Sequence, residues 1–212
     1  KKVKPPHNPG IVMTGAAMLW VGWYGFNGGS ALAANANAGM AILVTHIAAA
    51  TASLTWMAID WFKNGKPGLV GMVTGTIAGL ATITPASGFV DPQSGFIIGL
   101  LAGSICYYCA GIIKENFKID DSLDVFAVHG IGGMLGIFLV GFLANESIGG
   151  TAGSTQQVII QIKGIVSVVA LCVVATYIIV KITDALFGLR VSKNDAQKGL
   201  DITTHGESGY HL

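Results

Sequence analysis

His129 is the residue of this sequence most able to do chemistry, because it lies inside an apolar, glycine-rich run. The run extends from Asp121 to Val140 and is long enough to cross a bilayer. If a helix begins at Asp121, with Asp124 in an arrangement like a capping box, His129 lies about 12 Å along its axis. That is near the middle of a hydrocarbon layer about 30 Å thick, where an ionisable side chain usually marks a functional site. The alternative is a neutral histidine that hydrogen-bonds a neighbouring helix.

An aromatic face with one hydroxyl lies in the first apolar run of the chain. Trp23, Phe26 and Ser30 are spaced i, i+3 and i+7, which places them on one face of a helix. If that helix begins at a cytoplasmic Ile11, Phe26 lies about 22 Å and Ser30 about 28 Å along it, at the outer mouth of the membrane. Aromatic rings bind a small cation with about 0.5 to 2 kcal/mol when it is partly desolvated. An aromatic belt with a helix-terminal serine is the alternative, and the pairing with His129 favours a binding path.

The composition is that of a membrane protein. Of 212 residues only 11% are charged and 52% are hydrophobic, and the mean hydropathy is +0.64. The formal net charge of +1 and the absence of a basic cluster with interleaved aromatic residues argue against a nucleic-acid partner. No pattern of ligands suggests a metal site or a cofactor, and nothing indicates an enzyme. The fold class predicted from these features is an all-α polytopic membrane protein.

Six apolar runs are predicted to cross the membrane as helices. Lysine and arginine fall on alternate connections between these runs, so the positive-inside tendency places both ends of the chain in the cytoplasm. Residues 1–10 are then a cytoplasmic connecting segment, 11–187 the membrane region and 188–212 a cytoplasmic tail. Glycines four residues apart on the third and fourth helices predict close helix packing. The runs are 11–30, 36–62, 68–84, 95–113, 121–144 and 158–187.

Four segments together resemble the ammonium transporter (Amt/Mep/Rh) family, and the Amt branch more than the Rhesus-type proteins. Their order and gaps match, the motifs are specific as a set, and the resemblance covers essentially the whole chain. The segments are GWYGFNGGS at 22–30, ITPASGF at 83–89, DSLDVFAVHG at 121–130, and GLRV, GLD and HGE between 188 and 207.

The resemblance implies an eleven-helix protomer made of two inverted five-helix repeats and a long tilted final helix, assembled as a homotrimer in the plasma membrane. This chain resembles only the second repeat, the final helix and the cytoplasmic tail, so alone it would form half of a pore wall. By resemblance Phe26 is one of two gating phenylalanines, Ser30 and Trp23 belong to the external ammonium site, and His129 is the second of two facing pore histidines. The family also makes a PII-type regulatory protein a plausible partner at the tail around 199–209, besides ammonium or ammonia and membrane lipid.

Two further residues are weaker candidates. Thr84, before Pro85, is a candidate to present its hydroxyl or a freed carbonyl to the pore, and a simple helix stop is the alternative. His46 is expected to pack or to bond between helices, because the pore histidines of the family lie on other helices. The leading functional hypothesis is transport of ammonium or ammonia. An ammonium sensor that signals to an output domain is the alternative, and a structural subunit without a pore of its own stays open.

Overall fold

The computed structural model describes residues 5–209, and all regular structure in that range is helical. Residues 1–4 and 210–212, which belong to the predicted connecting segment and tail, lie outside the described residues. Three π-helical segments, Ile112–Asn116, Phe126–Ile131 and Asp201–His205, accompany the α-helices. The α-helices are α1 (Pro9–Gly29), α2 (Ala36–Asn64), α3 (Leu69–Ile83), α4 (Pro92–Gly111), α5 (Gly132–Leu143), α6 (Glu146–Gly149), α7 (Thr155–Phe187) and α8 (Lys193–Lys198).

The ends of the first helices follow from local sequence. The side chain of Asn8 accepts a hydrogen bond from the backbone of Ile11 at 3.1 Å, and Asn35 accepts one from Ala38 at 3.0 Å. These are N-caps, which satisfy backbone N–H groups that have no partner within the helix. Helix α2 ends at Gly65, whose φ of 73° is a left-handed conformation that glycine adopts without steric cost.

Helix α2 is packed between α3 and α4 through glycines. A Cβ atom added at Gly79 of α3 would lie 2.5 Å from the carbonyl oxygen of Ala48, and one added at Gly99 of α4 would lie 2.6 Å from the same atom. Two backbones can approach α2 this closely only where neither carries a side chain at the contact. The predicted glycine packing of the third and fourth helices is therefore confirmed.

Four helices among residues 5–209 are long and apolar enough, by length and composition, to cross a membrane. They are Ala36–Asn64, Pro92–Asn116, Phe126–Leu143 and Thr155–Phe187. The prediction of six crossing helices therefore agrees only roughly with the structure, in which four helices among the described residues meet these criteria. Helix α3 is apolar but has 15 residues, which is about 22 Å, because Pro85 stops it. Helix α1 has 21 residues, but its several glycines and its asparagine lower its hydropathy.

The helix that carries His129 begins later than predicted. Asp121 does accept hydrogen bonds from backbone N–H groups, but from Val125 and Phe126, both at 2.9 Å, and the residues between stay outside the helix. Helical structure begins at Val125 and is π-helical from Phe126 to Ile131. The predicted start at Asp121 is therefore wrong, and His129 lies about one turn from the beginning of its helix rather than about 12 Å along it.

The chain divides into two compact units between Ile165 and Val166, inside α7. The first unit contains α1 to α6 and the beginning of α7, and the second contains the rest of α7, α8 and the segment Asp201–His205. Helix α7 has 33 residues, of which Val158 is buried. The division does not bear on the predicted boundary between membrane region and tail at 187/188, which stays a prediction.

Candidate functional site

Trp23 connects three of the residues that the sequence singled out. Its indole ring lies 6.3 Å from the His129 ring, at an angle of 15° between the planes, and 6.2 Å from the Phe26 ring, which it meets edge-on at 69°. The indole N–H donates a hydrogen bond of 2.8 Å to the hydroxyl of Thr84. Residues of α1, of the end of α3 and of the π-helical turn before α5 therefore meet at one side chain.

Thr84 acts as the anchor of Trp23. Its hydroxyl accepts the indole N–H and donates its own proton to the carbonyl oxygen of Leu80 at 2.7 Å. A hydroxyl has one proton to donate, so this proton is committed to the helix and one lone pair is left for another donor. The predicted contribution of Thr84 to the pore stays a prediction, while its contact with Trp23 is a finding that spacing in the sequence could not supply.

His129 and Phe26 both lie beside the Trp23 ring. The His129 side chain is exposed, and Phe26 keeps 61% of its surface exposed. The imidazole is carried by the π-helical turn Phe126–Ile131, a rare geometry that is frequent at functional sites. The His129 side chain is therefore not buried against the described helices of this chain, and its role in a pore stays a prediction.

Ser30 lies at the end of α1, one turn beyond Phe26. Its hydroxyl donates a hydrogen bond of 2.8 Å to the carbonyl oxygen of Phe26. The Ser30 side chain is exposed, and its oxygen lone pairs are available to a donor such as an ammonium ion. The role predicted for Ser30 stays a prediction.

An apolar groove of about 640 Å³ runs along α1 next to this cluster. Its lining extends along α1 from Gly15 to Trp23 and Phe26. The remaining lining residues are Met18, Leu19 and Gly22. Because glycines alternate with large side chains there, the face of α1 has the shape of a packing surface for another helix.

His46 forms a bond between two helices, as the sequence predicted. Its Nδ1 atom lies 2.6 Å from the hydroxyl oxygen of Tyr24 on α1, and its ring lies 5.3 Å from that of Trp20. The second bond between α1 and α2 is buried and runs from the amide of Asn27 to the hydroxyl of Thr45 at 2.9 Å. These two bonds fix α1 on both sides of Phe26 in the sequence.

An ion pair between Lys114 and Asp124 was missed by the sequence reasoning. The Lys114 ammonium lies 2.7 Å from one carboxylate oxygen of Asp124 and 2.8 Å from the other. In the sequence Lys114 gave only a signal of membrane orientation, and Asp124 only a helix start. Lys114 and Asp124 are ten residues apart, and a helix end and a loop lie between them. No helical periodicity could therefore reveal the pair.

A polytopic, all-helical membrane protein with an aromatic and histidine cluster is the class that this structure defines. A family model described as Ammonium Transporter Family matches residues 1–210. The chain therefore belongs to the ammonium transporter family, as its motifs predicted.

Individual relatives and structures agree with this assignment. The ammonium transporter Amt1 of Archaeoglobus fulgidus is 49% identical over 210 residues, which cover 97% of this chain and 53% of the relative. The crystal structure of Saccharomyces cerevisiae Mep2 matches with a TM-score of 0.80 and 40% identity over 86% of this chain and 46% of that one. A structure named Sensor Amt Protein matches with a TM-score of 0.87 and 31% identity over 93% of this chain and 49% of that one. The chain spans about half the length of the relatives it matches.

Proposed function

We propose that this chain forms one half of the wall of a pore that carries ammonium or ammonia across the plasma membrane. The observation that supports the proposal is the position of Trp23, whose ring centre lies 6.2 Å from that of Phe26 and 6.3 Å from that of His129, so that an aromatic pair and an imidazole are neighbours. The other half of the wall is supplied by the part of the fold that the relatives have and this chain does not cover. Assembly as a homotrimer, a cytoplasmic tail from residue 188 and a PII-type partner at that tail belong to the same proposal.

The entrance attracts the ion and removes its water. The exposed faces of Trp23 and Phe26 offer a cation the negative potential of their rings, and the Ser30 oxygen offers a hydrogen-bond acceptor. An isolated ammonium ion is strongly disfavoured in an apolar environment, so burial beyond Phe26 favours loss of its proton. Recruitment as an ion and passage as a neutral molecule follow from these two effects.

His129 then serves the species inside the pore. A neutral imidazole has one donor and one acceptor nitrogen, so it can hydrogen-bond ammonia and can also pass on a proton. The His129 ring lies nearly parallel to that of Trp23, at 15° and 6.3 Å between ring centres, and we propose that this orientation presents its nitrogens to the pore. The alignment of the two rings is therefore part of the proposed mechanism.

The test is replacement of His129 by Ala in the complete protein, reconstituted in liposomes. We expect the ammonium-evoked current to fall and its selectivity over other monovalent cations to change. His46→Ala is the matched control, because it removes an imidazole that bonds between α1 and α2. A wild-type current and selectivity in the His129 variant would rule out the proposed role of this residue.

An ammonium sensor is the second candidate, and the structural likeness to a sensor Amt protein favours it. In a sensor the same surface binds ammonium, but the consequence is a change passed to an output domain or partner. Flux and binding separate the two functions. Ammonium that binds to the complete protein in vesicles without crossing the membrane would support the sensor.

A further inference from the structure

The ion pair of Lys114 and Asp124 is partly shielded from water. The Lys114 side chain is 24% exposed and that of Asp124 is 13% exposed, and the ammonium is close to both carboxylate oxygens. Removing one partner of such a pair leaves the other charge poorly solvated and unpaired. The pair is therefore a strong local constraint on the two segments that it joins.

Those two segments are the end of α4 and the start of the helix that carries His129. Lys114 lies in the π-helical segment Ile112–Asn116, and Asp124 is the residue just before Val125. At the α4 side of the intervening loop, the backbone N–H of Ile119 donates a hydrogen bond of 3.1 Å to the carbonyl oxygen of Ile113. The pair thus fixes the position of the helix start relative to α4.

Asp124 adopts a backbone conformation that is uncommon for a residue with a side chain. Its φ is +56°, in the left-handed region of backbone conformation that residues other than glycine rarely adopt. A strained conformation of this kind persists where surrounding contacts determine it. Among the described residues, Lys114 forms an ion pair with the Asp124 side chain, and this pair helps to hold Asp124 in place.

The position of Asp124 is transmitted to His129 through one hydrogen bond. The Asp124 carbonyl oxygen accepts the N–H of Val128 at 2.8 Å, and Val128 precedes His129. The turn that follows is π-helical, with a wider hydrogen-bond spacing than an α-helical turn. Conversion of this turn to α-helix would rotate His129 about the helix axis and away from its parallel alignment with Trp23.

We propose that Lys114 is a positioning residue for His129, acting through Asp124 and the π-helical turn. This inference rests on the proposed role of His129 in transport. Lys114 does not touch the transported species. Its ion pair selects the helical register that presents the imidazole to the pore.

The test compares variants of the complete protein in liposomes, with two measurements on each. The first is ammonium flux per folded protein, and the second is the ratio of methylammonium flux to ammonium flux. For Lys114→Met we expect a flux about tenfold lower, by analogy with the loss of a group that orients a metal-ligating histidine, together with a changed ratio. Lys66→Met is the matched control, because it removes an exposed lysine from another loop and should alter neither quantity.

Two rescue variants separate positioning from folding. Lys114→Arg keeps the charge and should keep both quantities close to wild type. The exchanged pair, Lys114→Asp with Asp124→Lys, should recover most of the flux and the original ratio, since a lysine is compatible with the required backbone, as Lys118 shows with a φ of +55°. Recovery of the ratio is the decisive result, because a purely structural role would change only the amount of folded protein.

The outcomes distinguish this inference from the proposed function. A wild-type protein that moves no ammonium contradicts the proposed function. A wild-type protein that transports, with Lys114→Met equal to it in flux per folded protein and in ratio, contradicts the inference alone. If Lys114→Met fails to fold, the inference depends on the exchanged pair, and an exchanged pair that folds but keeps a low flux and an altered ratio contradicts it.

Discussion

The rings of Trp23 and His129 lie nearly parallel, 15° apart, with their centres separated by 6.3 Å. The two residues are more than one hundred positions apart in the chain, and each is held by a different device. Trp23 is held by its hydrogen bond to Thr84. His129 is held by the π-helical turn that contains it. The parallel alignment of the two rings therefore depends on the contact that holds Trp23 and on the turn that holds His129.

We predict that Trp23→Phe and Thr84→Val have similar and non-additive effects. Each removes the 2.8 Å hydrogen bond between the indole and the hydroxyl, which contributes about 0.5 to 1.5 kcal/mol. The free energy of unfolding of the double variant should therefore lie within a few tenths of a kcal/mol of that of the less stable single variant. Thermal unfolding of the complete protein in detergent, together with ammonium flux, measures the coupling.

Thr74→Val is the control for this pair of variants. Thr74 lies on the same helix as Leu80 and donates to the carbonyl of Val70 at 2.9 Å, the same bond within a helix that Thr84 makes to Leu80. Thr74→Val therefore removes a hydrogen bond from a threonine hydroxyl to a helix carbonyl without affecting Trp23. Full additivity of Trp23→Phe and Thr84→Val would show that the indole bond does not align the site.

The bond between Tyr24 and His46 predicts a stability effect without a change of selectivity. Tyr24→Phe and His46→Ala each break the 2.6 Å contact between α1 and α2, and the loss of such a bond costs about 1 kcal/mol. We expect the unfolding temperature to fall for both variants while the methylammonium-to-ammonium ratio stays at the wild-type value. Tyr177→Phe, on an exposed part of α7, is the control. A changed ratio in His46→Ala would restore the pore role that the sequence argued against.

Local sequence accounts for several of the helix ends. Asn8 and Asn35 each precede a helix that they cap, and Gly65 ends α2 in the conformation that glycine favours. These features depend on a few neighbouring residues, so composition and spacing are enough to predict them. The same locality explains the error at Asp121, which caps the backbone as expected but does so across a turn that keeps the helix from starting before Val125.

The contacts within the candidate site could not be predicted in the same way. Spacing placed Trp23 and Phe26 on one face of a helix, and the apolar run around it singled out His129, but neither identified Thr84 as the partner of the indole. The pair of Lys114 and Asp124 likewise depends on how α4 and the next helix meet. Partners of polar groups are set by tertiary packing, which a single sequence does not display.

Close packing of α4 against α2 predicts that Gly99→Ala is destabilising. The added Cβ would lie 2.6 Å from the carbonyl oxygen of Ala48 and 2.9 Å from the Thr51 Cβ, so the helices must separate. Overpacking of this kind costs about 1 to 3 kcal/mol. Gly111→Ala on the same helix has no atom within 4 Å of the new Cβ and should be neutral or stabilising by a few tenths of a kcal/mol. Equal unfolding temperatures for the two variants would contradict the packing assigned to α2 and α4.

Asp91, which caps α4 from outside the membrane-spanning part, predicts a dependence of stability on pH. The backbone N–H of Ser94 donates to its carboxylate at 2.8 Å and lowers the pKa of this carboxyl below its ordinary value. A group whose pKa is lower in the folded state stabilises the fold above its unfolded pKa, about 3.9, and this contribution is lost as the pH falls through the folded value. Asp91→Asn keeps an N-cap that does not titrate, whereas Asp91→Ala removes the cap and should cost about 1 kcal/mol at neutral pH. Between about pH 6 and about pH 3, the unfolding temperature of the wild type should therefore fall further than that of Asp91→Asn. Parallel curves for these two proteins would show that the Asp91 carboxylate contributes nothing to the helix start.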